Sequence, residues 1–263
     1  MVDLAYVFAG FFVGVVVGLT GVGGGSLMTP ILIFFFGVKP YMAVGTDLLF
    51  AAFTKMGGTV SFDRQRVVPW RVVGLLSVGS IPACLVTLGF LRWVGPASAQ
   101  VQSLMTTTLG VTLLLTAAAM LYKAVRGQQV PRDLAAADEV RASTPRHWGL
   151  PVLLGALIGT FVTLTSVGAG AIGVTVLLLL YPLLPLPRIV AADIAYAVPL
   201  TLVAGLGHAS LGSVDWPLLA KLLVGSLPGI WLGSYLTHHT PDRVIRSLLS
   251  VLLAWAGAKL VLI

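Results

Sequence analysis

Charge is scarce in this chain, and its scarcity excludes most classes of soluble protein. Only 10% of the 263 residues are Asp, Glu, Lys or Arg, whereas 57% are hydrophobic; soluble domains carry about 25% charged residues. Residues 4–38 contain no charged side chain, and neither do residues 148–187. A helix needs about 20 apolar residues to cross a bilayer, so each stretch is long enough to cross, turn and return. The sequence therefore predicts an integral membrane protein whose solvent and partner is the lipid bilayer.

Cysteine is almost absent as well. The single residue, Cys84, excludes a disulfide within the chain and a cluster built on cysteine ligands. No group of His, Asp and Glu has the spacing of metal ligands, and neither a nucleophile elbow nor a phosphate-binding loop is present. The amino terminus lacks the basic residues of a cleavable signal peptide. We therefore predict no enzyme activity, no cofactor and no metal site.

Ten hydrophobic segments account for most of the chain and predict an all-α membrane fold. They cover residues 4–20, 25–38, 41–61, 70–90, 97–122, 148–166, 170–186, 189–210, 216–236 and 242–262. Segments one and two are short and meet at a glycine-rich break, as do segments six and seven; each pair forms two thin spans or a re-entrant hairpin. This pattern predicts a first transmembrane repeat over 1–122, a polar linker over 123–147 and a second repeat over 148–263.

The basic residues predict the orientation. The net charge of +7 is attributed to cytoplasmic loops and not to nucleic-acid binding, because no soluble domain is present to bind a nucleic acid. Eleven of the 16 Lys and Arg residues fall on one side of the predicted spans and four on the other. The richer side is cytoplasmic by the positive-inside rule. Both termini are then predicted to lie outside, and the linker inside.

The glycine-rich breaks indicate an internal duplication. Gly21-Val22-Gly23-Gly24-Gly25 returns 145 residues later as Ser166-Val167-Gly168-Ala169-Gly170. The segment Val44–Asp47 returns 146 residues later as Val190–Asp193. Each copy has an odd number of passes, so the second copy is predicted to be inverted relative to the first. Inverted repeats with interrupted helices are typical of secondary transporters.

The duplicated motifs resemble those of a known family. Gly21–Ser26 followed by Pro30, and then Ala43–Leu49, are similar to the TauE/SafE family of sulfite-exporter-like membrane proteins, as are Ala195–His208 and Gly212–Trp216 in the second half. The resemblance implies export of a small sulfur-containing anion, such as sulfite or an organosulfonate, across a bacterial cytoplasmic membrane. An acid at Asp47 disfavours a nearby anion unless the acid is protonated or paired.

The breaks are the predicted substrate site. A helix that begins inside the membrane leaves unpaired N–H groups, and these can hold an oxyanion. We expect the substrate contacts to come from both breaks and one lysine: Thr20, Gly23, Gly24, Gly25, Ser26, Thr165, Ser166, Gly168, Ala169, Gly170 and Lys55. The alternative is that the glycines only allow helices to pack closely, which is the interpretation that we favour for Gly10, Gly14 and Gly18.

Three further ionisable residues within predicted spans are candidates for proton coupling: Asp47, Asp193 and His208. Such residues are costly inside a membrane and commonly functional. The alternatives are that the two acids brace a helix entry, that Lys55 extends to the cytoplasmic surface, and that His208 is a hydrogen-bonded interface residue. For the whole protein, the alternatives to a transporter are a passive anion channel on the same fold and a membrane assembly partner.

Overall fold

The structure is a computed structural model in which residues 2–20, 25–126, 148–168, 170–181, 184–236 and 242–261 are described. Ten α-helices and no strands occur in these ranges. The first five helices are α1 (Val2–Thr20), α2 (Gly25–Phe34), α3 (Pro40–Arg64), α4 (Trp70–Val94) and α5 (Ala99–Arg126). The second five are α6 (Gly149–Thr165), α7 (Ala171–Leu180), α8 (Leu186–Ser210), α9 (Trp216–Leu236) and α10 (Asp242–Val261). The all-α prediction is confirmed, with one helix for each predicted segment.

The second helix of each half is shorter than its apolar run predicted. Helix α2 ends at Phe34, not at residue 38, because Gly37 takes a left-handed conformation (φ +63°) before Pro40 opens α3. Helix α7 ends at Leu180, not at residue 186, because the prolines at 182 and 185 cannot continue a helix. At the other extreme, α5 continues to Arg126, beyond the predicted start of the linker. The rest of the linker, 127–147, lies outside the described residues.

The lengths of α2 and α7 favour broken helices over full spans. Each has 10 residues, which is about 15 Å of helix at a rise of about 1.5 Å per residue. The hydrocarbon core of a bilayer is about 30 Å thick. Neither helix is long enough to cross it alone, which disfavours the alternative of two thin full spans in each pair.

Several other helices have the length and composition of membrane spans. Four are long and apolar enough to cross a bilayer, and these are Trp70–Val94, Ala99–Leu121, Pro187–Ser210 and Trp216–Gly233. Shorter apolar helices cover Asp3–Leu19, Gly149–Thr165 and Leu249–Val261. Large apolar side chains such as Phe8, Val86 and Trp231 point outward, as expected where lipid is the solvent. The chain is a multi-pass membrane protein.

Helices of the two halves pack against each other reciprocally. Helix α1 packs on α9, and α4 packs on α6; likewise α3 packs on α8 and α5 packs on α10. In the duplicated sequence, α6 and α9 are the counterparts of α1 and α4. Exchanging the two halves therefore maps each of these helix pairs onto another pair or onto itself.

Glycines bring the reciprocal pairs into backbone contact. A Cβ at Gly10 or Gly14 of α1 would collide with backbone carbonyl groups of α9, and one at Gly155 or Gly159 of α6 would collide with those of α4. These are repeat-equivalent positions. The prediction that Gly10 and Gly14 serve close packing is confirmed, and the two halves are joined tightly around α3 and α8.

Candidate functional site

The first predicted break falls between the described ends of two helices, at residues 21–24, which lie outside the described residues. Helix α1 ends at Thr20 and α2 begins at Gly25. Gly23 and Gly24 lie outside the described residues, and at Thr20, Gly25 and Ser26 only the helical backbone is described. The contribution of these five residues to a binding site therefore stays a prediction.

The second break shows how glycine makes the chain turn. Helix α6 is followed by Ser166, which is left-handed (φ +59°) and donates its N–H to Val162 O at 2.7 Å. Gly168 and Gly170 have φ of +124° and +142°, values that side-chain-bearing residues rarely adopt. Their carbonyl oxygens accept the first hydrogen bonds of α7. Ala169, between them, lies outside the described residues.

Thr165 stabilises this turn locally. Its hydroxyl oxygen lies 2.6 Å from Phe161 O, to which it donates, and accepts the N–H of Val167 at 3.1 Å. The side chain is buried. The Thr165 hydroxyl is hydrogen-bonded within the break. Of the two neighbouring hydroxyls, Ser166 is therefore the better candidate to contact a ligand.

Asp47 connects the second break to the helix that follows the first. Its carboxyl group is fully buried, accepts a hydrogen bond at Oδ2 from the Thr29 hydroxyl of α2 and faces the Ser166 hydroxyl. Within the described part of the chain, neither Asp47 Oδ1 nor Ser166 Oγ has a hydrogen-bond partner. The acid joins α2 to α3 through Thr29; the alternative that it braces a helix entry near the membrane interface stays a prediction.

Asp193 takes the corresponding position in the second half. It is buried on α8, and a Cβ added at Gly173 would collide with its Oδ1. Gly173 is the third residue of α7, so the carboxyl lies directly against the first turn of this short helix. The two repeat-equivalent acids thus approach the early turns of the two short helices.

Lys55 provides the cation of this cluster. The side chain is 4% exposed, and its ammonium interacts electrostatically with Asp193 and, more weakly, with Asp47. The alternative that Lys55 extends to the cytoplasmic surface does not fit this burial. Helix α3 packs on α8, so the lysine of one half faces the acid of the other.

His208 packs beside Gly45 of α3 and is hydrogen-bonded to α6. Its ring is buried, and Nε2 is 2.9 Å from the carbonyl oxygen of Thr163. Because a carbonyl only accepts, Nε2 carries the proton and Nδ1 is the basic nitrogen; Nδ1 has no hydrogen-bond partner in the described ranges. The ring connects the last turn of α8 to α6 while retaining one atom that can take a proton.

Sequence reasoning did not identify three residues of this site: Thr29, Gly173 and Tyr196. The Tyr196 hydroxyl is fully buried and interacts electrostatically with Asp193. A usable signal was present for Thr29, because Thr175 follows it by the same 146 residues that separate Asp47 from Asp193. No comparable signal was present for Gly173 or Tyr196, since their roles depend on which side chain packs against them.

Two other features do not add to this cluster. A groove of about 460 Å³ between α4, α5 and α6 has an apolar lining, including Val86, Phe90 and Leu104, and contains none of the predicted site residues. In the part of the chain that the structure describes, no three His, Cys, Asp or Glu side chains are grouped as metal ligands.

Comparison with known proteins gives a consistent result. The family model described as "Sulfite exporter TauE/SafE" matches residues 6–260. The chain is similar to three proteins of Bacillus subtilis (strain 168). It is 34% identical to "Probable membrane transporter protein YjnA" over 98% of this chain and 100% of that protein, and 28% identical to "Probable membrane transporter protein YdhB" over 95% and 96%. For "Probable membrane transporter protein YunE" the identity is 24% over 97% and 96%. No solved structure matches.

Proposed function

The chain belongs to the TauE/SafE family, and on that premise we propose that it is a secondary transporter that exports a small anion across the bacterial cytoplasmic membrane. The proposed substrate is a sulfur oxyanion or an organosulfonate, a class that the family description indicates. The relatives are named as membrane transporters, which supports transport as the general activity.

The observation that carries the proposal is the buried cluster of Asp47, Asp193, Lys55 and Ser166 between the halves. Placing an ionisable side chain in the centre of a membrane costs about 3 kcal/mol on insertion scales. Three such residues, all less than 5% exposed, lie on α3 and α8, which pack against each other. Stability alone does not require them, because apolar residues of similar volume pack as well or better. A transported ion accounts for them.

Binding of the anion is proposed at the glycine-rich breaks. The short helices α2 and α7 begin there with unpaired N–H groups and the positive ends of their dipoles. Ser166 supplies a hydroxyl donor beside Asp47, and the Lys55 ammonium contributes positive charge. Asp47, Asp193 and His208 are the proposed proton-coupling groups.

The reciprocal helix pairs support an inverted-repeat architecture with the site at the interface of the repeats. In this proposal, residues 1–122 and 148–263 form the two repeats, and the linker 123–147 faces the cytoplasm, with both termini outside. Alternating access would then rock one repeat against the other around the cluster.

The purified protein in liposomes tests the proposal directly. Uptake of sulfite, thiosulfate, sulfoacetate, taurine and sulfate is measured with and without a pH gradient, with protein-free liposomes as the control. A carrier shows flux that saturates with substrate and responds to the pH gradient. Flux that neither saturates nor responds to pH would identify a channel instead, and no flux with any of the five would point to an assembly partner.

A further inference from the structure

Both acids of the site lie where the substrate anion is proposed to bind. We propose that the carboxylates of Asp47 and Asp193 are tethered anions: each occupies the early turns of a short helix until protonation releases it and admits the substrate. The inference rests on the proposed function and specifies how proton and anion are coupled, by competition for the same helix ends.

The contact of Asp193 with α7 is the first support. The N–H groups of the first turn of a helix have no partner within the helix and attract negative charge. Gly173 lies in that turn, and only the absence of a Cβ lets Asp193 Oδ1 come against the backbone. Gly173 already donates its own N–H to Gly168 O at 2.9 Å, so the carboxylate lies beside the helix end, against the positive end of the helix dipole that would also attract an oxyanion.

The contact of Asp47 with α2 is the second support, and it is independent of the first. Thr29 is the fifth residue of α2, and both its hydroxyl and its backbone interact with the Asp47 carboxyl. A threonine hydroxyl can donate equally well to an oxyanion. The remaining oxygen, Oδ1, faces Ser166, where an incoming anion would displace the carboxyl group.

The charge of the cluster explains why release requires protons. With both acids ionised and Lys55 charged, the cluster carries one net negative charge, so adding an anion would bury further negative charge. Protonation of one carboxyl makes the cluster neutral, and an incoming anion then replaces the negative charge that the proton removed. Anion binding is therefore expected to strengthen as the pH falls.

The titratable groups around the two acids are few in the described ranges. Lys55 faces both carboxyls, and the Tyr196 hydroxyl faces Asp193. Three more groups on neighbouring elements have other contacts: Asp215 donates its backbone N–H to the Thr46 hydroxyl at 3.0 Å, His208 bonds the Thr163 carbonyl, and Cys84 interacts with the Thr163 side chain.

The test measures binding of [35S]thiosulfate and [35S]sulfate, whose own charges are constant, to the purified protein from about pH 5.5 to about pH 8. If binding takes up one proton, the apparent Kd of the wild type rises about tenfold per pH unit above the titration point. Asp193→Asn and Asp47→Asn are each expected to flatten this dependence and to bind tightly at the upper pH. Asp63→Asn, at an exposed residue bonded to the Trp70 indole, is the matched control and keeps the wild-type slope.

The outcomes separate this inference from the proposed function. Three outcomes would overturn the tethered-anion inference alone. They are wild-type binding without pH dependence, loss of binding at every pH in well-folded Asn variants, and a wild-type slope in both Asn variants. No binding of either anion by the wild type and the variants would overturn the proposed function with it. If the Asn variants are not monodisperse in detergent, Thr29→Val replaces them. It removes the donor that holds the Asp47 carboxylate, so the pH profile moves to higher pH; no shift overturns the inference.

Discussion

Replacing Lys55 with methionine removes the cation that faces the two buried acids while keeping a side chain of similar length. Asp193 and Asp47 then lose their shared electrostatic partner in a region where all three residues are less than 5% exposed. Water cannot take over the role of the ammonium at this depth. We expect the Lys55→Met protein to be clearly less stable than the wild type, and its residual stability to depend on the acids.

The size of the effect follows from the burial of the cluster. Removing one partner of a close buried ion pair costs about 3–5 kcal/mol, because the remaining charge is left uncompensated, and this range is the upper bound for Lys55→Met. For a chain of this size such a loss lowers Tm by on the order of 10 °C. A second substitution, Asp193→Asn, removes the acid that interacts more strongly with Lys55. The double variant Lys55→Met/Asp193→Asn should therefore recover more than half of the loss, as coupled neighbours in a double-mutant cycle do.

The assay is thermal unfolding of the purified protein in detergent, followed by size-exclusion chromatography of the heated samples. Lys221→Met is the matched control, because Lys221 pairs with Asp3 at the surface and the two side chains are 35% and 76% exposed. Exposed ion pairs contribute little, so this control should unfold close to the wild type. Equal Tm values for Lys55→Met and Lys221→Met would refute the buried cluster, as would a double variant less stable than Lys55→Met alone.

Three further predictions concern the break, the adjacent acid and the topology. Gly173→Ala should reduce flux and stability although alanine favours helices, since its Cβ collides with a carboxyl oxygen of Asp193. The control is Gly74→Ala, where nothing lies within 4 Å of the added Cβ; equal flux and Tm in the two variants would contradict the contact. Gly168→Ala should cost about 1–3 kcal/mol of stability because its φ of +124° is strained for alanine; a Tm equal to that of the same control would contradict this. Gln128→Cys should react with an impermeant thiol reagent only from the cytoplasmic side, with little background from the buried Cys84; labelling from outside would invert the topology.

The sequence predicted the helices and the breaks because both follow from local chemistry. Apolar runs, prolines and glycine clusters determine where a helix begins and ends, and α6 and α7 are separated at the predicted second break, where Gly168 and Gly170 have positive φ. Repeat-equivalent acids could be paired from a fixed offset alone. The helix ends of α2 and α7 were predicted too far along, since aromatic and leucine side chains continue the apolar run into the turn.

The contacts of the site could not be predicted, because they are formed between the halves. Lys55 and Asp47 are eight residues apart on α3 and about 12 Å apart along its axis, so their spacing does not predict a direct contact. Asp193 lies on α8, which packs on α3, and the Lys55 ammonium interacts electrostatically with it. Tertiary packing of this kind has no local signature, and Gly173 became a site residue only through the carboxyl group packed against it.

The site is symmetric in its acids and asymmetric in its bases, and the asymmetry bears on direction. Lys55 corresponds to Thr201, whose hydroxyl bonds the Ala197 carbonyl of its own helix at 2.8 Å, and His208 corresponds to Phe62. In an inverted-repeat transporter with identical halves, the inward-facing and outward-facing states would be related by exchange and would have equal free energy. Acids, hydroxyls and glycines that occur in both halves contribute equally to the two states and cannot make their free energies differ. If the proposed inverted-repeat transport is correct, residues present in one half only, such as Lys55 and His208, are what makes the free energies of the two states differ.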